Sequence, residues 1–214
     1  MRRGLSAVLL AGVLAGCGAS EDDAGSTAAS EAGKSSATPS SAPSAAASGG
    51  TLGAKGSACE LPVTFETAAK WKAESIAAPK DASEDLLDAL LRQGPVDGVC
   101  EIDAKPAGHV GFIRVYQGKP GGADARTVLK GFVGAEKGVS EEKYTTFTAG
   151  GVSGVEVSYR VHVELLDETK TEHALAVTTP EGPVVIHLGG LDDAEHKAML
   201  PAFELAERTL RVTG

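Results

Sequence analysis

The chain has 214 residues, 42% of them hydrophobic and only 4% aromatic, and its 29 acidic groups outnumber 20 Lys and Arg for a net charge of −9. That balance excludes the basic face needed by a nucleic-acid binder or by a domain adhering directly to anionic lipid. Basic and acidic groups cancel before residue 57, so residues 57–214 carry the whole excess, and their length suits one domain with a sizeable core.

Met1-Arg2-Arg3 and the apolar or small stretch Leu5 to Gly16, broken only by Ser6, predict an export signal over residues 1–16. The stretch is too short to span a bilayer, which takes about 20 residues. Leu14-Ala15-Gly16-Cys17 resembles the lipobox of bacterial lipoproteins, in which the cysteine thiol receives a diacylglycerol and the chain is cut just before it. The resemblance implies lipidation at Cys17 and attachment to the cell membrane on its extracytoplasmic face; two or more acyl chains hold stably where one does not. The rival reading is an ordinary secretory signal with an accidental cysteine.

Residues 17–56, nearly all Ser, Ala, Gly, Thr and Pro after the cysteine, read as a disordered linker because they cannot bury enough apolar surface to offset the entropy of ordering. As a flexible coil it would average on the order of 35 Å end to end. Its composition would also admit O-linked sugars.

In residues 57–214 the elements follow in order. Cys59 precedes a strand at Val63 to Thr67, and the sole tryptophan, Trp71, precedes another at Lys72 to Ile76; a lone Trp there reads as core or as a ligand-lining ring. "DASEDLLDALLRQG" predicts a helix with Asp81 as cap, Glu84 three residues on, a Leu86, Leu87, Leu90, Leu91 stripe and Gly94 as stop. Strands follow at Val99 to Ala104, which carries Cys100, and at Val110 to Tyr116. With Cys17 assigned to lipid, Cys59 and Cys100 form an even pair in an oxidising compartment and predict a disulfide, whose loop of 42 residues is worth about 4 kcal/mol by chain entropy. Two free thiols or a redox pair are the alternatives, although a redox pair more naturally has C-x-x-C spacing.

A helix is predicted from about Ala123 to Ala135, then a strand at Tyr144 to Thr148. Gly150, Gly151 and Gly154 of "TAGGVSGVE" are expected to take positive φ in a turn; the run fails both G-x-S-x-G and G-x-G-x-x-G. From Gly154 to Leu165 a strict alternation puts Val155, Val157, Tyr159, Val161, Val163 and Leu165 on one face and Glu156, Ser158, Arg160, His162 and Glu164 on the other. "TEHALAVTT" and "PVVIHLGG" complete a meander, and a last helix runs from about Asp193 to Leu210, with Pro201 expected to kink it or leave an irregular first turn. Strands interspersed with helices give an α+β fold, a mostly antiparallel sheet flanked by helices in an α/β/α sandwich.

In that order, "VTFETAAKWKAE", "GGVSGVEVSYRV" and "HALAVTTPEGPVVIHLGGLDDAEHKAMLPAFELAERTLRV" resemble the LpqN-like lipoproteins of high-GC Gram-positive bacteria, the actinobacteria, which have the Mog1/PsbP-like fold. The resemblance covers residues 57–214 and implies a role in the cell envelope, with no motif that matches a defined active site.

No catalytic set, metal motif or cofactor loop emerges, so no cofactor is expected. His109, His162, His173, His187 and His196 form no H-E-x-x-H, H-x-H or zinc-spaced cluster. His162 and His173 flank one hairpin, pointing toward Glu164 and Glu172, which leaves a His/Glu metal-binding protein or enzyme as one alternative. The leading expectation is a non-enzymatic binding or assembly module with an envelope protein, glycan or lipid as partner and no nucleic acid; a carrier of a small ligand or lipid is the other alternative.

Overall fold

The structure is a computed structural model and describes residues 45–77, 83, 85 and 91–213. Eleven strands and two α-helices are described: β1 (Ser48–Leu52), β2 (Val63–Ala68), β3 (Lys72–Ser75), β4 (Arg92–Gln93), β5 (Val96–Asp103), β6 (Gly111–Gln117), α1 (Ala125–Gly134), β7 (Val139–Ala149), β8 (Val152–Val163), β9 (Glu168–Thr179), β10 (Gly182–Gly190), α2 (Asp193–Thr209) and β11 (Arg211–Val212). A sheet of eight strands runs β3-β5-β6-β10-β9-β8-β7, with β4 also on β5, and a second sheet of three runs β1-β2-β11. Every pairing between these strands is antiparallel.

Strand alternation divides the apolar residues between two cores. On one face of the large sheet, Val128, Leu129, Phe132 and Val133 of α1 pack with Tyr116, Val157, Tyr159, Ala176 and Val185. On the other, Met199, Ala202, Phe203 and Ala206 of α2 join Val115, Leu175, Ile186 and Leu188, together with Val63 and Phe65 of the small sheet. A buried Phe132 or Phe203 contributes about 1.5–3 kcal/mol of transfer free energy, so each helix is held by a few such side chains. The result is an α+β sandwich with the mostly antiparallel sheet in the middle.

Several expectations are corrected. Strand β1 lies inside the segment expected to be linker: Leu52 is buried opposite Phe65, so ordered structure starts before Ser57. A Ser/Gly-rich strand can form there because β2 supplies its hydrogen-bond partners. The helix expected over Asp81 to Gly94 lies outside the described residues except at Ser83, Asp85 and 91–94. Gly94 itself makes the turn between β4 and β5 at φ 59°, its missing side chain leaving room for the Gly131 carbonyl. Gly150 and Gly151 take positive φ as expected, whereas Gly154 does not: it is needed because the Phe147 ring lies on it. Leu165 is not part of the long strand, which ends at Val163. Helix α2 continues through Pro201 and its first turn is regular, capped by Asp192 accepting from the Glu195 amide at 2.8 Å.

Candidate functional site

Three connections meet at one end of the large sheet. The first, 104–110, contains a short 3-10 helix (Lys105–Ala107) closed by Gly108 at φ 92°. The second is the turn from β8 to β9, where Asp167 takes φ 51° and the Leu166 amide donates to the Val163 carbonyl at 3.1 Å. The third leads from β10 into α2, and its Leu191 amide donates to the Val110 carbonyl at 3.1 Å, tying it to the first. Together they leave an open groove of about 640 Å³. Val110, Leu166 and Leu191 line it while remaining 53%, 54% and 54% exposed, and Leu165, 93% exposed, stands beside them at the turn. Among the described residues these four are the exposed large hydrophobics.

The groove floor follows from the register. Phe112 lies opposite Gly189, where a Cβ would come within 3.0 Å of its ring, so the aromatic fills the space that the glycine leaves. The Arg114 guanidinium sits 4.3 Å from the Phe112 ring centroid and is paired with Glu101 on β5. Gly111 and Gly190, opposite each other, make room for Met199 from the far side.

Behind the floor is a buried polar cluster. Glu172 and His187, 2% and 6% exposed, are joined by a 2.7 Å contact from His187 Nε2 to Glu172 Oε2. Lys170 reaches the other oxygen of Glu172 at 2.7 Å and also donates to the Gly190 carbonyl at 2.9 Å. Tyr159, directly across from Glu172 on β8, places its hydroxyl 3.2 Å from that carboxylate and 3.1 Å from Glu136. Burial alone would raise the Glu172 pKa, but His187 and Lys170 more than offset it and hold the carboxyl at about 2. Burial first, then Glu172 and Glu136, raise the Tyr159 hydroxyl, which stays protonated and able to donate. Burial and then the charge of Glu172 also raise Glu136. A carboxylate this acidic is a weak base at neutral pH, so Glu172 is matched to holding its neighbours in place rather than to moving protons. His187 Nδ1 is buried without a partner, between the rings of Phe112 and Phe132.

The remaining histidines are scattered. His173 faces the opposite side of the sheet from Glu172, and its Nδ1 lies 2.7 Å from Nε2 of His196 on α2, the two rings stacked at 4.9 Å with Phe203 alongside. Burial lowers the pKa of both, taking His196 to about 4. His162 instead contacts Thr169 at 3.2 Å, and His109 contacts Glu195 at 3.3 Å. The His/Glu metal site left open as an alternative at His162 and His173 has these two rings on different partners, Thr169 and His196, and among the described residues no group of three or more His, Cys, Asp or Glu could hold a metal.

Cys59 and Cys100 are disulfide-bonded, their Cα atoms 6.0 Å apart, which ties the segment leading into β2 to the centre of β5. Trp71 is half-buried against the α2-side core and does not line the groove. Cys17 lies outside the described residues. The sequence reading missed the groove because Leu165 was placed on the strand; a pair of leucines between Glu164 and Asp167, in a turn, was the signal that could have found it.

No helix among the described residues is long and apolar enough to cross a membrane. No curated protein matches the chain in sequence. The solution structure of cyanobacterial PsbP (CyanoP) from Synechocystis sp. PCC 6803 is similar to it with a TM-score of 0.48 and 14% identity, covering 71% of this chain and 87% of that one. Residues 28–210 match the family described as "Uncharacterised lipoprotein", and the chain belongs to that lipoprotein family.

Proposed function

We propose that this protein is a non-enzymatic binding or assembly module of the cell envelope, acylated at Cys17, held on the extracytoplasmic face of the membrane in the manner of LpqN-like lipoproteins, and docking its partner at the groove. Membership of a lipoprotein family and the lipobox-like run before Cys17 support the anchor. The Cys59–Cys100 bond suits an oxidising compartment. The observation that carries the binding role is the convergence of Val110, Leu166 and Leu191 on one groove, since an apolar patch rimmed by polar groups is kept exposed for contact.

Two measurements test it. Cys17→Ser is expected to abolish the acyl mass that the wild-type chain carries, read by intact-protein mass spectrometry; a wild-type chain found without that mass would remove the anchor. A photo-crosslinking side chain at position 165, used on intact cells, is expected to give a discrete adduct that Leu166→Asp with Leu191→Asp abolishes. The same adduct from a probe at Gly122, a residue that does not line the groove, would show that docking is not centred there. A second reading, a carrier of a small apolar ligand, is favoured by the groove's volume, which falls within the ordinary range of ligand sites. Native mass spectrometry of protein from its own host distinguishes the two, because a carrier retains added mass.

A further inference from the structure

We infer that the groove accepts a short apolar segment of a partner protein flanked by lysine or arginine. This deepens the reading of the groove as a docking surface and rests on it. The apolar rim sets one requirement, a few large side chains to cover Val110, Leu166 and Leu191. The charges around it set the other. Glu164, Asp167 and Glu168 bracket the leucines of the β8–β9 turn on the exposed side, and the Asp167 side chain is 97% exposed with only a 3.7 Å approach from His162. The cation nearest the floor, Lys170, is turned inward onto Glu172 and the Gly190 carbonyl, so it does not offset them. Arg160 is likewise occupied, bonded to Asp193 at 2.8 Å. Lys105 is the outward-facing cation of the lining, against three outward carboxylates at the turn.

The same charges weigh against the other occupants. Carboxylates within a Debye length of about 10 Å repel an anionic lipid surface. A second copy of this chain would bring two acidic turns together on a protein already at −9. A basic segment gains attraction from the rim and burial from the floor, and complementary charge of this kind chiefly speeds and selects encounter.

The test uses the chain from position 17 onward carrying Cys17→Ser, so that neither the export signal nor detergent competes for the groove, and two model peptides with one apolar Leu/Phe core, one flanked by lysines and the other by glutamates. The lysine-flanked peptide is expected to bind about tenfold more tightly at low salt, with the advantage shrinking at high salt. Leu166→Asp with Leu191→Asp, both at exposed positions, should abolish its binding. Glu164→Gln with Asp167→Asn and Glu168→Gln should erase most of the advantage while leaving apolar binding. Equal binding of both peptides, still lost in the leucine variant, overturns the basic partner and leaves the docking surface standing. Indifference to the leucine variant overturns the docking surface itself. Failure of the lysine-flanked peptide to bind, or leucine-dependent binding of anionic-lipid vesicles in its place, also overturns the inference.

Discussion

A buried carboxylate and a histidine pair respond to acid in different windows, which lets each be tested in the presence of the other. Glu172 titrates at about 2 when folded against 4.5 when free, so the folded state binds fewer protons and its contribution is present above pH 4.5 and lost as pH falls toward 2. With the side chain buried, that shift corresponds to roughly 3 kcal/mol. Glu172→Gln is expected to cost about that much at pH 7 in urea unfolding and to flatten the stability curve between pH 4.5 and 2; an unchanged curve would mean that the carboxylate is not the group responsible. The His173–His196 pair acts at higher pH. Both are depressed below 6.5, His196 to about 4, so stability is full above pH 6.5 and declines as pH falls toward 4. Removing both members together avoids orphaning either ring. His173→Leu with His196→Leu should therefore stay within about 1 kcal/mol of wild type at pH 8 while losing the decline between 6.5 and 4.

Helix α2 is held at its start by a cap and strained along its flank by like charge. Asp192 accepts from the Glu195 amide, and Asp192→Ala should lower stability by about 1 kcal/mol. Further along, burial first, and then the charges of Glu207 and Glu204 on α2, raise the pKa of Glu156 on β8 to about 7. Here the folded state binds more protons than the unfolded one, so stability is full below pH 4.5 and is lost as pH rises through 7. Glu156→Gln is expected to stabilise the protein above pH 7, by about 1 kcal/mol once the partial exposure of the side chain is discounted, and to have no effect near pH 4. Thermal melts at pH 8 should then rise by about 2–4 °C. A rise of the same size at pH 4 would point to packing or helix propensity as the cause.

At the scale of the whole fold, the disulfide joins the segment entering the small sheet to a central strand of the large one across a sequence separation of 41. Both sulfur-bearing residues are buried, so the bond works within the α2-side core rather than at the surface. Cys59→Ala with Cys100→Ala should lower the free energy of unfolding by about 4 kcal/mol on the chain-entropy account. Reductant should lower the midpoint of the wild type toward that of the variant and leave the variant unmoved. A variant as stable as wild type would mean that β1, β2 and β11 dock as firmly without the bond.

Alternation along Val155 to Val163 and the parity of Cys59 and Cys100 were local signals, and with the order of the other predicted strands and helices they were enough for an antiparallel α+β domain. Periodicity reports which residues share a face; it does not report which strands become neighbours. Strand β6 pairs with β10 although α1 and three strands lie between them in the chain, and that pairing sets Phe112 opposite Gly189. It also brings the 104–110 connection beside the one after β10, and the β8–β9 pair adds the third side of the groove. Likewise, Glu172 and His173 are adjacent in sequence but belong to opposite faces, so only the assembled sheet gave one a His187 partner and the other a His196 partner. Sequence alone decided the long strands, the two described helices and their apolar faces, because those depend on neighbours a few residues away, whereas the short β1, β4 and β11 form only on a partner strand. Tertiary structure alone decided the groove and its buried charge cluster, because both are made from side chains that meet only when the strand order is fixed.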